Sequence, residues 1–178
     1  MTASENTLAS GKFFRFWSAA NEPRAVVLIS HGLGEHSGRY EHVAAALTAD
    51  NLHVYALDHI GHGKSPGKPA YIDRFSDLTS GVSELRDHIR RHHAGLPVIL
   101  IGHSMGGLIA IRLALGAHAD YAGLILTGPL LGLPDTPSRL QVMLLRVLSV
   151  LAPKVKAIEI DASAVSRDPA QVVQSMMV

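Results

Sequence analysis

Residues 97–115 place the tightest constraint on what this chain can fold into. Pro97-Val98-Ile99-Leu100-Ile101 leads into Gly102-His103-Ser104-Met105-Gly106-Gly107, and Leu108-Ile-Ala-Ile-Arg-Leu-Ala-Leu115 leads out. The leading run is continuously apolar and β-branched, which suits a strand covered on both faces. The trailing run is made of helix formers. Glycines on both sides of Ser104 let the strand turn sharply into the helix and the two elements pass closely. Residues 97–101 are therefore expected as a buried strand and 104–115 as a helix lying back on the sheet.

The same alternation runs through the rest of the chain. RAVVLIS at 24–30, HVYALD at 53–58 and GLILT at 123–127 are further short apolar strands. A helix is expected over 39–50. Another is expected over 76–93, because Phe75, Leu78, Val82, Leu85 and Ile89 recur at steps of three or four and share one face. Buried strands alternating with helices imply an α/β fold with a mostly parallel sheet flanked by helices. Phe13–Trp17 reads as a strand paired in a hairpin with the residues before Gly11. The pattern breaks after Gly128, where Pro129, Gly132, Pro134 and Pro137 interrupt the chain. The expected division is a core over 1–130 and a partial cap over 131–178, begun by an apolar helix at 138–152. Leu140, Met143, Leu144, Val147, Leu148 and Leu151 share one face of that helix.

A serine held on a strand-to-helix turn of the form G-x-S-x-G presents its hydroxyl at the sheet's C-terminal edge. Ser104 is thus the candidate nucleophile. Acyl transfer also needs two N–H donors aimed where the oxyanion forms. In this architecture one belongs to the residue after the nucleophile, here Met105, and the other to the loop after an earlier strand, here Leu33. Gly32 and Gly34 permit the backbone path of that loop.

Three stretches together carry a closer likeness. His31-Gly-Leu-Gly-Glu-His-Ser-Gly-Arg-Tyr40, Asp58-His-Ile-Gly-His-Gly-Lys-Ser65 and Gly102-His-Ser-Met-Gly-Gly107 resemble the signature segments of the monoacylglycerol lipases. Val165-Ser-Arg-Asp-Pro169 resembles part of the cap of that family. The resemblance implies an α/β-hydrolase fold, with a cap inserted after the sixth strand. It implies Ser104 as nucleophile, Leu33 and Met105 as the oxyanion hole, and Glu35 and Arg39 near the polar end of the substrate site. The implied substrate is a small-molecule lipid ester, a monoacylglycerol or similar single-chain acyl ester. Lysophospholipids and simple carboxylesters are the neighbouring alternatives. No metal or organic cofactor is implied.

The remaining catalytic parts have no matching residues. In this fold the triad runs serine, then acid, then histidine. All eleven histidines precede Tyr121, and the last is His118. Asp135 is a turn residue between Pro134 and Pro137. The triad acid and base are therefore assigned to none of the residues present. The chain is expected to stop inside the cap, through a shifted reading frame or a truncated gene, with the last strands missing. A catalytically inactive fragment or binding module is the corresponding alternative. Residues 123–127 would then form an apolar edge strand, and the chain would dissolve poorly on its own.

Composition removes other classes. A net charge of +1 gives no reason to expect nucleic acid. With no cysteine there is no disulfide or thiolate metal site. The polar first residues do not form a secretory signal, and a cytoplasmic protein is expected. Residues 140–151 are too short to span a bilayer, though the helix 138–152 is a candidate peripheral membrane contact. Gly63-Lys64-Ser65 lacks the earlier glycine of a phosphate loop. The glycines at 32, 34 and 38 are spaced one residue too long for a dinucleotide site. His31 with His36, and His59 with His62, have no third ligand at helical spacing and read as solvated loop histidines. His31 and His103 are expected to be structural.

Overall fold

The computed structural model describes residues 2–116, 121–132 and 138. The chain opens with β1 (Ser4–Thr7) and β2 (Phe13–Trp17), joined as an antiparallel hairpin. Then follow β3 (Ala25–Ser30), α1 (Glu41–Ala49), β4 (Leu52–Leu57), α2 (Phe75–His92), β5 (Val98–His103), α3 (Met105–Ala114) and β6 (Gly123–Thr127). The sheet order is β1-β2-β4-β3-β5-β6. β4, β3, β5 and β6 run parallel, and β2 joins β4 antiparallel.

Period-two alternation divides the core between the two faces of the sheet. Val26 and Leu28 of β3 pack with Leu78, Val82, Leu85 and Ile89 of α2 and with Ile109 and Ala110 of α3. Val27 and Ile29 point the other way, to Trp17, Val54, Ala56 and Ala44 of α1. Every residue of β3 is buried, as a strand covered on both sides requires. Complete burial of each large apolar side chain of α2 is worth about 1.5–3 kcal/mol.

Strand order fixes where a site can form. From β3 the chain moves through α1 to β4 on one side. It then crosses back through α2 to β5 on the other side. The loops leaving β3 and β5 therefore diverge to opposite faces and open a crevice at the strands' C-terminal ends, which is where open α/β sheets bind ligands. His31–Gly34 follow directly on the C-terminal end of β3, and Ser104 on that of β5.

One helix begins later than the sequence suggests. The helix expected from residue 39 starts at Glu41, after a short 3₁₀ turn at Ser37–Tyr40. The His36 ring accepts the Gly38 N–H, and the Asp58 carboxylate accepts the Ser37 N–H at 2.7 Å, so these bonds tighten the first turn. The likeness to an α/β-hydrolase core holds, with a mixed, mostly parallel sheet flanked by helices. At the far edge, β6 pairs with β5, and Leu124 and Ile125 are 38% and 49% exposed. His118, Asp135, residues 139–152 of the expected cap helix and residues 165–169 lie outside the described residues.

Candidate active site

Ser104 closes the turn between β5 and α3 with φ 49° and ψ −114°, a left-handed conformation that costs a non-glycine residue about 1–3 kcal/mol. Close packing enforces it. A Cβ on Gly102 would lie 2.5 Å from the Gly106 carbonyl oxygen, and one on Gly106 would collide with the Ser30 carbonyl. Only glycine lets β5, α3 and the end of β3 approach so nearly.

The serine backbone is held on several sides. Its N–H donates to the Thr127 carbonyl at 3.0 Å. Its carbonyl accepts from Gly107 at 3.0 Å, from Leu108 at 3.2 Å and from Leu130 at 3.1 Å. The side chain is half-buried at the N-terminus of α3. Met105 is the first residue of that helix, so its N–H has no partner within the helix and the positive dipole end lies beside Ser104.

The loop after β3 lies against this turn. A Cβ on Gly32 would stand 3.3 Å from the Ser104 Cβ, the Glu35 Oε2 and the His103 ring. Leu33 follows at the loop tip, 45% exposed, and Gly34 takes φ 69° to bring the chain round. Glu35 Oε2 accepts the Gly32 N–H at 3.0 Å and the Tyr40 hydroxyl at 2.8 Å. Arg39 sits 3.4 Å from the other carboxylate oxygen. Burial pushes the Glu35 carboxyl up, but these three donors outweigh it and hold it below the usual carboxylate range. Burial, together with the Glu35 carboxylate, pushes the Tyr40 hydroxyl far up, so it remains a donor.

The histidines beneath the loop correct one expectation. His59 and His62 are not solvated loop residues: both are buried, and His31 is fully so. His36 is half-buried. The cause is Asp58, at the end of β4. Its carboxylate accepts the Ser37 N–H at 2.7 Å and the Lys64 N–H at 2.8 Å, folding residues 59–65 back over the sheet. Gly61 and Gly63, with φ of 73° and 53°, allow that return. The rings of His31 and His59 come within 4.4 Å, and His59 Nε2 lies 2.9 Å from the Ser30 hydroxyl. Burial lowers the His31 imidazole to about 4 and that of His59 well below its ordinary range, so both are neutral at pH 7. Among the described residues no group of three His, Cys, Asp or Glu side chains is arranged to hold a metal ion.

His103 lies between the Gly32 loop and β6, with Nδ1 2.9 Å from the Thr127 hydroxyl and 3.0 Å from its carbonyl. Tyr40, Asp58 and Thr127 support the site; the first two bound signature stretches in the sequence, but no role was expected of any of the three. Asp58 alone had a readable signal, a carboxylate ending an apolar strand before a glycine-rich loop.

The serine aminopeptidase S33 family model matches residues 21–176. The chain is 39% identical over 161 residues to the monoglyceride lipase of Homo sapiens, covering 90% of this chain and 53% of that protein. It is 40% identical over 153 residues to the monoacylglycerol lipase of Mycolicibacterium smegmatis, covering 86% and 55%. The crystal structure of the Paleococcus ferrophilus monoacylglycerol lipase superposes with a TM-score of 0.72 at 32% identity, covering 98% of this chain and 62% of that one. The chain spans about half the length of the curated relatives it matches. A left-handed serine between glycines, a glycine loop against it and these likenesses lead to one assignment: the chain belongs to the S33 family of α/β-hydrolases, as a monoglyceride lipase-like serine hydrolase covering about half of its relatives.

Proposed function

We propose that this chain carries the nucleophile and oxyanion half of a serine ester hydrolase acting on a monoacylglycerol or similar single-chain acyl ester. Ser104 Oγ adds to the ester carbonyl and its proton passes to a base. The tetrahedral oxyanion is met by the N–H groups of Leu33 and Met105; its collapse breaks the ester C–O bond, the leaving oxygen takes the proton back from the base to depart as the alcohol, and water then cleaves the acyl-serine to the free acid and Ser104. Each oxyanion donor contributes about 3–4 kcal/mol to the transition state. The step needs no metal or organic cofactor. Glu35 and Arg39 are assigned to the polar rim, where Glu35 also braces the loop.

The observation that carries this reading is the left-handed backbone of Ser104 directly against the Gly32–Leu33 loop. Leu33 and Leu130, both exposed, offer apolar surface next to the elbow. Each methylene of an acyl chain buried on such surface gains about 0.8 kcal/mol. A partial cap over residues 131–178 and a peripheral membrane contact through 138–152 belong to the same proposal. No helix among the described residues is long and apolar enough to cross a membrane.

A second reading is an inactive fragment. It is favoured by one observation: every histidine precedes Tyr121, ahead of where the triad histidine of this fold falls. A fluorophosphonate probe separates the two. Labelling that disappears in Ser104→Ala establishes an activated serine and a base in reach of it. A full chain that folds but takes up no probe establishes the inactive reading.

A further inference from the structure

His31 follows β3 directly and is fully buried, and its two ring nitrogens face opposite demands. Nδ1 stands 2.7 Å from the Gly32 carbonyl oxygen, which can only accept. Nε2 stands 3.0 Å from the His59 backbone nitrogen, which can only donate. One arrangement satisfies both: the proton on Nδ1, the lone pair on Nε2 and no net charge.

The Gly32 carbonyl and the Leu33 N–H belong to the same peptide unit. In a planar trans peptide these groups point in opposite directions, and the described backbone has no cis bond. Holding the oxygen therefore sets the direction of the hydrogen. On its other side Gly32 is held by its own N–H, donated to Glu35 Oε2 at 3.0 Å. Glycine has no side chain to resist rotation, so these two bonds are what keep its peptides from turning.

We propose that His31 is a positioning residue: locked in one tautomer by the His59 N–H, it holds the Gly32 carbonyl inward and so keeps the Leu33 N–H aimed at the oxyanion site. The inference rests on the reading of Leu33 as an oxyanion donor. His31 touches no substrate; it acts through the peptide it holds.

Two substitutions separate positioning from simple packing. Asparagine places its amide near the Nδ1 position and can still hold the Gly32 carbonyl. Glutamine reaches the Nε2 position and can accept only from His59. A histidine that merely fills the core would rank the two variants by stability. A positioning histidine ranks them by which nitrogen is kept.

The experiment uses the full ¹⁵N-labelled chain at pH 7. The ring spectrum of His31 is expected to show a protonated Nδ1 and a bare Nε2. Residual dipolar couplings are expected to keep the Leu33 N–H direction in His31→Asn and to rotate it in His31→Gln, with thermal melting recorded for both. An Nε2–H tautomer or an imidazolium in the wild type overturns the proposal, even where a variant fails to fold. So does an unchanged Leu33 direction in a folded His31→Gln. Where Ser104 takes up fluorophosphonate, the rate is expected to fall about 10- to 100-fold in His31→Gln and to recover in His31→Asn. Absence of labelling in all three proteins counts against the hydrolase reading and leaves the dipolar-coupling result to decide the role of His31.

Discussion

β3 and β6 are close to interchangeable as sequences, AVVLIS against GLILT, and both lie parallel to β5. Their surroundings differ completely. β3 has a strand on each side, and all of its side chains are buried between helical layers. Among the described residues β6 stands at the end of the sheet, with Leu124 and Ile125 exposed. An apolar run states that a segment can be buried on both faces. Whether it is buried depends on how many neighbours the topology supplies. The same contrast separates the two halves of the site: the loop after β3 is clamped by buried groups, while the end of β6 reaches Ser104 from a partly uncovered edge.

Substitutions at matched positions test that contrast most directly. Leu28→Ala, in the middle of β3, is expected to lower unfolding free energy by about 2–5 kcal/mol, read from urea denaturation. A loss below 1 kcal/mol would mean that the centre of the sheet is no better packed than its edge. Acid should weaken the β3 side next. His31 is buried neutral, with His59, His62, Asp58 and Glu35 around it. Its pKa falls from 6.5 in the unfolded chain to about 4 in the fold. Between those values the unfolded chain binds the extra proton, so stability is full above about pH 6.5 and is lost as pH falls toward 4. The loss is on the order of 3 kcal/mol from His31 alone, and denaturation midpoints across that range measure it. A flat profile would remove the buried-neutral assignment.

Smaller effects sharpen the picture. Ser104→Gly should be about 1 kcal/mol more stable than Ser104→Ala, because only glycine relieves the left-handed backbone. Equal melting temperatures would show that the turn is unstrained. The least effect is expected at the edge: Ile125→Lys should change stability by about 0.5 kcal/mol or less while raising the soluble fraction on expression. A loss as large as that of Leu28→Ala would show that β6 is covered after all.

Much of the core was legible because its signals are local. Strand limits followed from apolar runs. The face of α2 followed from the spacing of Leu78, Val82, Leu85 and Ile89. The turn at Ser104 followed from flanking glycines, whose need for close approach is written in three or four residues. The buried histidines were not legible. Residues 59–65 have the composition of a solvated loop, and what buries His59 and His62 within it is a carboxylate at Asp58 bonding to the backbone at both Ser37 and Lys64. Long-range bonds from one side chain to two loops leave no periodic trace. The same holds for Tyr40, whose hydroxyl reaches Glu35 across a 3₁₀ turn at Ser37–Tyr40 where the sequence suggests a loop passing into a helix at residue 39.

The Thr127 carbonyl and the Leu130 N–H grip the main chain of Ser104 from two points three residues apart on one segment. That segment acts as a splint: it immobilises Ser104 through peptide groups alone, whatever side chains it bears. Disturbing β6 would therefore be felt first as a twist in the serine's backbone, before any change in the side chains around it.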